Sequence, residues 1–265
     1  MKKQKGKEGF EAHYQEVWGE RWAGLKTALL APKLHFERPN GFAKEDSDLN
    51  PIYSMDEASL YPVLALQLCS DHQVLDLCAA PGGKSLLILE QTRAPQCLTL
   101  NEVSRSRFFK LRRVLKEYVP ASILDKVTLT NFDGSRYGLH QAEVFDRILV
   151  DAPCSGERHV LHDDKELSKW SASRSKSLAK RQYALLASAF LALKPGGRLV
   201  YSTCSISPLE NDMVVARLLK RKPNAQSGDF AQPEKGEPTD LGWIALPDQA
   251  QGLGPIYFAV VEKSL

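Results

Sequence analysis

The chain has 265 residues, 43% of them hydrophobic and 25% charged, which excludes wholesale disorder and allows one large domain with a small appendage. Its 35 basic and 32 acidic residues leave a net charge of +3, which is too small to predict a partner by itself. Apolar runs stay well below the length of a membrane span, and no apolar segment of a secretory signal follows the basic N-terminus.

Five cysteines are spread along the chain without a C-x-x-C pair. An odd number without close pairs argues against a disulfide framework and against a zinc site, so we expect no metal. Free thiols predict a reducing compartment, which we take to be the cytoplasm. In such a compartment an exposed thiol can serve as a nucleophile.

The first predicted element is an amphipathic helix over Phe10–Leu29, whose large apolar residues recur at spacings of three and four. Residues 30–52 contain three prolines and a glycine that break any pattern, so they are predicted to be irregular. A second helix is predicted over Met55–Leu68. We therefore divide the chain into an N-terminal helical extension, residues 1–52, and a main domain on which it docks, residues 53–265.

From residue 74 onward, short apolar runs alternate with helical patterns. Such alternation is typical of βαβ units and predicts an α/β fold with a doubly wound, mostly parallel sheet. Pro223–Asp240 is predicted to be a loop, and Gly254–Val261 a last strand, antiparallel and at the edge. The predicted strands are Val74–Cys78, Leu98–Leu100, Val127–Leu129, Ile148–Val150 and Leu199–Tyr201. The predicted helices are Lys84–Gln91, Ser104–Tyr118, Ser177–Leu193 and Leu209–Lys220.

The first of these strands runs into the sequence DLCAAPGGKS, at the place where doubly wound sheets bind ligands. Gly82 and Gly83 let the backbone approach a ligand and open a helix N-terminus toward it. Glu102 follows the second strand, where an acid accepts hydrogen bonds from ribose hydroxyls. Asp133–Gly134 follows the third strand, in reach of an adenine amine, and Asp151 ends the fourth. Together these residues predict a nucleoside site.

ATP is one candidate nucleoside, because residues 78–85 nearly match G-x-x-x-x-G-K-[ST] and Asp151 closes an apolar strand as a Mg²⁺ ligand does. Two residues oppose a phosphate loop. Cys78 stands where the first loop glycine must turn, and Pro81 lacks the N–H that would hold a phosphate. S-Adenosylmethionine carries no phosphate and needs only contacts to its ribose, adenine and methionine. The sequence therefore predicts S-adenosylmethionine as the cofactor.

Cys154 and Cys204 follow the fourth and fifth predicted strands, so both thiols should face the same cleft. Amine-directed methyltransferases carry an aromatic residue at the position of Cys154, where it stacks on the base. A thiol suits a different substrate, because cytosine C5 is too weak a nucleophile to attack a sulfonium methyl group. Thiolate addition at C6 turns the ring into an enamine whose C5 can attack. Chemistry alone leaves open which of the two thiols adds.

These motifs resemble those of the NOL/NOP/Sun family of RNA cytosine-5 methyltransferases. DLCAAPGGKS, DAPCSG, KPGGRLVYSTCS and GPIYF are similar to the family's signatures and occur in the expected order. FEAHYQEVWGERWAGLKTALL and YSMDEASLYPVLAL resemble its short members without a separate RNA-binding domain, such as the mitochondrial ribosomal-RNA enzyme. The resemblance covers nearly the whole chain and implies a class I, Rossmann-like methyltransferase domain that depends on S-adenosylmethionine.

The resemblance also implies roles for individual residues. Cys204 would be the nucleophile at C6, and Cys154 would assist release of the methylated RNA. Asp151 would hydrogen-bond the cytosine edge near N3 and N4, and Lys84 would serve either the cofactor carboxylate or the target site. The implied cofactor contacts are Cys78, Ala79, Ala80, Pro81, Gly82, Gly83, Lys84, Glu102, Asp133, Gly134 and Asp151.

The helix pattern over Val103–Tyr118 carries six basic residues and one acid. Its apolar stripe, predicted to be buried, consists of Phe108, Leu111, Leu115 and Tyr118. The outward face is either a solvated surface or an RNA-binding one. The predicted RNA-binding residues are Arg105, Arg107, Lys110, Arg112, Arg113 and Lys116. Further positive charge lies at Lys2, Lys3, Lys5 and Lys7 and in the Arg174–Arg181 cluster.

After Cys154 the sequence SGERHVLH departs from family members that read Gly-x-Gly or carry paired arginines there. The spacing of His159, His162 and Asp163 allows a metal site, but we favour a loop that closes over RNA. The leading hypothesis is an S-adenosylmethionine-dependent RNA cytosine-5 methyltransferase that acts on ribosomal RNA.

Two alternatives remain, a transfer-RNA cytosine-5 methyltransferase and a non-catalytic RNA-binding scaffold with the same fold. The presence of both cysteines and all the acids disfavours the scaffold. The near-neutral net charge predicts modest nonspecific RNA affinity, which suits recognition of a folded ribosomal particle or a need for a protein partner. We expect a monomer without a membrane partner.

Overall fold

The computed structural model describes residues 5–44 and 46–265, in which a large central sheet lies between layers of helices. The strands are β1 (Phe36–Pro39), β2 (Ile52–Met55), β3 (Val74–Asp76), β4 (Leu98–Asn101), β5 (Thr128–Thr130), β6 (Phe145–Asp151), β7 (Leu193–Thr203), β8 (Ala225–Ser227), β9 (Glu237–Pro238), β10 (Trp243–Ala245) and β11 (Ile256–Lys263). The helices are α1 (Gly6–Trp18), α2 (Trp22–Leu30), α3 (Tyr61–Leu64), α4 (Gly83–Thr92), α5 (Arg105–Tyr118), α6 (Ala121–Leu124), α7 (Tyr137–His140), α8 (Glu157–His162), α9 (Asp164–Lys169), α10 (Ala172–Ala192) and α11 (Asp212–Arg221). Within these described ranges, each helix is too short or too polar to cross a membrane.

The central sheet has the strand order β5-β4-β3-β6-β7-β11-β10-β9, and β8 pairs with the far end of β11. Strands β3 to β7 are parallel, whereas β11 runs antiparallel to β7. The chain builds outward from β3 to β5 and then returns to add β6 and β7 on the other side. This order confirms the doubly wound, mostly parallel fold and places the switch point between β3 and β6.

Helices cover both faces of the sheet, because successive strand residues point to opposite sides. Ile148 and Val150 pack into one buried cluster with residues of α1, α2, α10 and α11. Leu149, between them, packs into a second cluster with residues of α4 and α5. The two cores hold the carboxyl ends of the parallel strands at one edge, where the predicted site residues lie.

The structure has two helices where the sequence analysis predicted one over Phe10–Leu29, so that prediction was wrong. Helix α1 ends at Gly19, whose φ of +55° lies in the left-handed region, and a 3₁₀ turn over Gly19–Arg21 leads into α2. Both helices dock on the main domain as predicted. Tyr14 and Trp22 are buried in the same cluster as the sheet residues on that face.

Residues 30–52 are less irregular than predicted, since β1 pairs with β2 as an antiparallel hairpin. The predicted division at residue 52 falls within β2, so this hairpin connects the two predicted parts. The helix predicted over Met55–Leu68 is also wrong in length. Only a 3₁₀ turn and α3 form there, because Pro62 lies in the first turn of α3 and Gln67 adopts a left-handed φ of +52°.

The C-terminal part contains two differences from the predicted elements. Pro223–Asp240, predicted to be a loop, contributes the short strands β8 and β9. Strand β11 is antiparallel as predicted but lies inside the sheet, between β7 and β10. Strands of two or three residues are too short to show an alternating pattern, so the sequence gives no sign of β9 or β10.

Candidate active site

The loop between β3 and α4 forms one wall of the site. Gly82 adopts a φ of +125°, which favours glycine, and packs against α5 with its ideal Cβ position 3.1 Å from Val114. Gly83 lies against Tyr53 of β2, where an added Cβ would come within 2.8 Å of the ring. The N-terminal hairpin therefore fixes the loop from the outside.

Two cavities adjoin this loop. One, of about 180 Å³, is lined by Glu102, the Asp133–Gly134 pair, Arg107 and Arg181. The other, of about 300 Å³, is lined by Ala79, Ala80, Pro81, Gly83, Lys84, Asp76 and Asp151. Cys78 lines both, so the two cavities adjoin. Of the predicted cofactor residues, Gly82 alone lines neither cavity.

Glu102 is the buried acid of the smaller cavity, with 2% of its surface exposed. Its Oε1 accepts a hydrogen bond from the Ser104 N–H at 2.8 Å. Its Oε2 has no hydrogen-bond partner among the residues that the structure describes, and Arg107 Nη1 lies 3.5 Å away. A buried carboxylate oxygen without a donor is costly, so this atom fits a ligand hydroxyl.

Asp76 is a site residue that the sequence analysis missed. It ends β3, is 1% exposed, and accepts a hydrogen bond from Ser85 Oγ at 2.7 Å. Its Oδ1 has no partner within the described part of the chain, and burial raises the pKa of this carboxyl to about 7. Asp76 lies inside the predicted strand Val74–Cys78, whereas the sequence analysis assigned to the site only residues at or beyond the strand ends.

Asp151 and Lys84 form an ion pair at the floor of the larger cavity. Lys84 Nζ donates to Asp151 Oδ2 at 2.7 Å, and Ser202 Oγ donates to Asp151 Oδ1 at 2.7 Å. Burial opposes the charge of Lys84, but the Asp151 carboxylate raises the pKa of Lys84 overall. The lysine therefore stays protonated beside the thiols.

The two thiols meet as predicted from the strand order. Cys154 Sγ and Cys204 Sγ are 2.8 Å apart, with Cys204 exposed and Cys154 half-buried. The contact with Cys204, burial and two nearby carboxylates raise the pKa of the Cys154 thiol well above its usual value. Burial also raises the pKa of the Cys78 thiol. Of these three, the exposed Cys204 has the best access to a substrate.

A third cavity, of about 460 Å³, opens beside Cys204 and is lined by Lys33, Arg158, His159, His162 and Gly254. Lys33 also lines the 300 Å³ cavity, so it stands where the two spaces meet. Its side chain lies 3.5 Å from Asp56 and is 46% exposed. Lys33 was missed because it lies in a proline-broken segment without a motif.

The histidine segment after Cys154 is helix α8 and not the loop that we predicted. Arg158 fastens this helix to neighbouring segments by donating to the carbonyl oxygens of Ala31 and Gly254. His162 Nε2 lies 3.1 Å from the Leu29 carbonyl oxygen. The one group of three possible metal ligands in the described residues is elsewhere, at the surface turn before β3.

The six predicted RNA-binding residues of α5 are all exposed, but they do not form one uniform surface. Arg107 turns into the site and donates to the Ala80 carbonyl oxygen at 2.5 Å. Arg113 lies 3.5 Å from Glu117 on the same helix. The buried stripe consists of Leu111, Val114 and Leu115, while Phe108 and Tyr118 are only half-buried. Lys2 and Lys3 lie outside the described residues.

Comparison with known proteins finds relatives over most of the chain. The chain is 42% identical to the 5-cytosine rRNA methyltransferase NSUN4 of Bos taurus over 224 residues, covering 78% of this chain and 58% of that protein. It is 37% identical to the mitochondrial tRNA (cytosine(34)-C(5))-methyltransferase of Mus musculus over 231 residues, covering 83% of this chain and 66% of that protein. The chain thus spans about three-fifths of the length of these relatives.

The relatives overturn one prediction. Cytoplasm was expected from the free thiols, but the name of the mouse relative places that protein in mitochondria. Free thiols report only a reducing environment, which more than one compartment provides. The prediction of a cytoplasmic location is therefore wrong.

The fold has solved counterparts. A methyltransferase homolog protein from Pyrococcus horikoshii superposes with a TM-score of 0.73 at 24% identity, covering 97% of this chain and 94% of that one.

A sequence model described as 16S rRNA methyltransferase RsmB/F matches residues 63–258, which include the cofactor loop and both cysteine motifs. These matches confirm the predicted family, the methyltransferase fold and S-adenosylmethionine as the family's cofactor. The chain belongs to the RsmB/F family of 16S rRNA methyltransferases.

Proposed function

We propose that this chain is an S-adenosylmethionine-dependent RNA cytosine-5 methyltransferase that acts on ribosomal RNA. The observation that carries the proposal is the pair of thiols 2.8 Å apart at the ends of β6 and β7. The ion pair of Asp151 with Lys84 and the two adjoining cavities beside the cofactor loop lie next to them. Family membership and the name of the bovine relative support ribosomal RNA as the substrate.

The exposures of the two thiols support different roles. Cys204 is exposed and opens into the 460 Å³ cavity, so its thiolate adds to cytosine C6. C5 would then take the methyl group of S-adenosylmethionine and lose its proton to solvent as the bond from C6 to Cys204 breaks, which returns the thiolate. Cys154 stays protonated because its pKa is raised, and it assists release of the methylated RNA. Asp151 hydrogen-bonds the cytosine edge and, with Lys84, orients the ring.

The residues around the cofactor loop fit S-adenosylmethionine. Glu102 Oε2, a buried acceptor without a donor, would take hydrogen bonds from the ribose hydroxyls. Asp133 lies in the same cavity, in position for the adenine, and Asp76 Oδ1 is free to meet the ammonium group of the methionine part. When bound there, S-adenosylmethionine supplies the electrophilic methyl group.

Calorimetry tests this cofactor assignment directly. We expect S-adenosylmethionine and S-adenosylhomocysteine to bind and ATP with Mg²⁺ not to bind, because Pro81 removes an N–H from the loop that would hold a phosphate. Binding of ATP that requires Mg²⁺ would contradict the assignment.

The substrate is tested by methylation of purified RNA followed by bisulfite sequencing. We expect the full chain to protect a cytosine of ribosomal RNA from deamination. Transfer RNA is the second candidate, favoured by the 37% identity to the mouse tRNA enzyme, and it is included in the same assay. Protection of transfer RNA alone would show that transfer RNA, and not ribosomal RNA, is the substrate. Protection of neither RNA would favour the non-catalytic RNA-binding scaffold. The proposal also includes a protein partner and a monomeric state. Adding ribosomal particles to the assay tests whether other components are needed for activity. Light scattering measures the oligomeric state.

A further inference from the structure

Beneath the two thiols lies a buried polar cluster that includes Glu157, one of the two carboxylates that raise the pKa of the Cys154 thiol. Glu157, the first residue of α8, is completely buried, and both of its oxygens accept hydrogen bonds. Sequence analysis gave this residue no role, since it lies in the segment after Cys154 that was predicted to be a loop closing over RNA. A fully buried acid directly after an active-site cysteine motif requires an explanation.

Glu157 receives donors from three separate segments. Its Oε1 accepts from the Tyr14 hydroxyl of α1 at 2.6 Å, from Ser205 Oγ at 3.1 Å and from Ser155 Oγ. Its Oε2 accepts from the Ile206 N–H at 3.1 Å. Ser155 follows Cys154 and Ser205 follows Cys204, and their hydroxyl oxygens are 3.0 Å apart.

The backbone of the Cys154 loop allows this arrangement. Gly156 adopts a φ of +62°, a left-handed conformation that turns the chain from Ser155 back into α8. The turn places the carboxylate of Glu157 under both cysteine loops. A side chain at residue 156 would strain it.

Other contacts also hold these two loops, and the contact between the Ser155 and Ser205 hydroxyl oxygens joins them directly. Glu210 accepts from the Ser155 N–H and from Gln182 Nε2, each at 2.9 Å, while its Oε1 has no partner in the described ranges. On the other loop, Asn211 Nδ2 donates to the Ser205 carbonyl oxygen at 2.9 Å. Glu157 is the acid whose two oxygens accept hydrogen bonds from the Cys154 loop, the Cys204 loop and α1 together.

We propose that Glu157 is a positioning residue, whose buried carboxylate ties the Cys154 loop to the Cys204 loop and so sets the approach of the two thiols. The role in catalysis rests on the proposed function, whereas the effect on the thiols does not. Removing the carboxylate leaves the Tyr14, Ser155 and Ser205 hydroxyls without their shared acceptor. The loops then lose their common anchor, and the thiols lose their fixed separation.

Thiol–disulfide exchange measures that separation without methyl transfer. The full chain is equilibrated with mixtures of reduced and oxidised glutathione, and peptide mass spectrometry gives the fraction with a Cys154–Cys204 disulfide. In this exchange both thiols lose a proton and together two electrons, and one glutathione disulfide becomes two glutathione thiols. We expect the equilibrium constant to fall about tenfold or more in Glu157→Gln and Glu157→Ala. Glu166→Gln, a change to a part-exposed acid on α9 that pairs with Arg174, is the matched control and should leave it unchanged.

An unchanged constant in Glu157→Ala overturns the proposal. Circular dichroism and S-adenosylmethionine binding show whether Glu157→Ala folds. If it does not fold, the variants Tyr14→Phe and Ser205→Ala test the proposal by the same equilibrium constant. Each removes one donor to Glu157 and should lower the constant in the same direction. Unchanged constants in both variants would overturn the proposal equally.

Kinetics test the catalytic consequence. In Glu157→Gln we expect kcat for RNA methylation to fall about tenfold while KM for S-adenosylmethionine stays the same, because the cofactor cavities do not include this residue. If Glu157→Gln lowers the glutathione equilibrium constant about tenfold but leaves kcat unchanged, the separation of the two thiols does not limit the reaction. A wild-type chain that methylates no RNA would refute the proposed function and leave the glutathione comparison standing.

Discussion

The two sides of the site use buried carboxylates in opposite ways. On the cofactor side, Glu102 Oε2 and Asp76 Oδ1 are buried without a hydrogen-bond partner among the described residues. On the thiol side, both oxygens of Glu157 accept hydrogen bonds from the protein. A buried acceptor without a donor is costly until a ligand completes it, whereas a satisfied one fixes the groups around it. The unsatisfied oxygens of Glu102 and Asp76, two acids that line cavities, therefore mark the place for a ligand, whereas Glu157 belongs to the scaffold.

The largest expected effect comes from breaking the thiol side. Cys204→Ala should lower RNA methylation at least about 10³-fold and form no covalent adduct, because C6 is never attacked. Cys154→Ala should still form the adduct but release it slowly, so a protein–RNA species should survive denaturing electrophoresis. Cys69→Ala, a change to an exposed thiol before β3, is the control. An adduct in Cys204→Ala and none in Cys154→Ala would reverse the two roles.

Breaking the cofactor side should affect binding and leave the thiols alone. Glu102→Ala removes the acceptor for the ribose hydroxyls and should weaken S-adenosylmethionine binding by about 1–3 kcal/mol in calorimetry. The glutathione constant of the thiol pair should not change in this variant. Glu117→Ala, a change to an exposed acid on α5, is the matched control. Unchanged affinity for S-adenosylmethionine in Glu102→Ala would show that the ribose does not bind at Glu102.

Asp76 gives the cofactor side a dependence on pH. Its pKa is about 7 in the folded chain against 3.8 for the free side chain, so folding takes up a proton between these values. For this group, the free energy of unfolding of the cofactor-free chain should therefore be highest below pH 3.8 and fall as the pH rises to 7. Asp76→Asn should remove this loss, about 2 kcal/mol between pH 5 and pH 7, in urea denaturation. An identical pH profile for wild type and variant would contradict it.

The smallest effect is expected outside both sides, on the exposed face of α5. Changing Arg112 and Arg113 to Glu should raise KM for RNA about fivefold and reduce its salt dependence, since fewer counterions are released. Affinity for S-adenosylmethionine should stay the same. Reversal of Lys220 and Arg221 at the end of α11 provides a control of equal charge. If both pairs behave alike, α5 is a solvated surface and not an RNA contact.

Much of the ligand-binding side was readable from the sequence because its residues follow predicted strands, whereas Asp76 lies inside the predicted strand Val74–Cys78 and was missed. Apolar runs located the strands, parallel order brought their ends together, and Glu102, Asp133 and Asp151 appeared at those ends. The meeting of the two thiols followed from the same argument. Local pattern and fold topology together are enough for groups placed directly by the sheet.

The scaffold side was not readable, because its members come from distant segments. Glu157 accepts hydrogen bonds from Tyr14 and Ser205, which are far from it in the chain, and its own segment was predicted to be a loop. Arg107 looked like part of an RNA surface until its contact with the Ala80 carbonyl was known. The hairpin of β1 and β2 failed for a related reason, since prolines hid its pairing. Such contacts are decided by tertiary packing, on which local patterns are silent.

The position of Lys33 has a consequence for chemical inhibition. This flexible side chain separates the cavity beside the cofactor loop from the cavity beside Cys204, and both are of a size that small molecules fill. One compound with an arm in each cavity would gain from the high effective concentration of its second arm. An electrophile on the arm beside Cys204 would add a covalent bond to the exposed thiol. Selectivity over other methyltransferases would then come from the thiol arm, since a cofactor-like arm alone has many competitors.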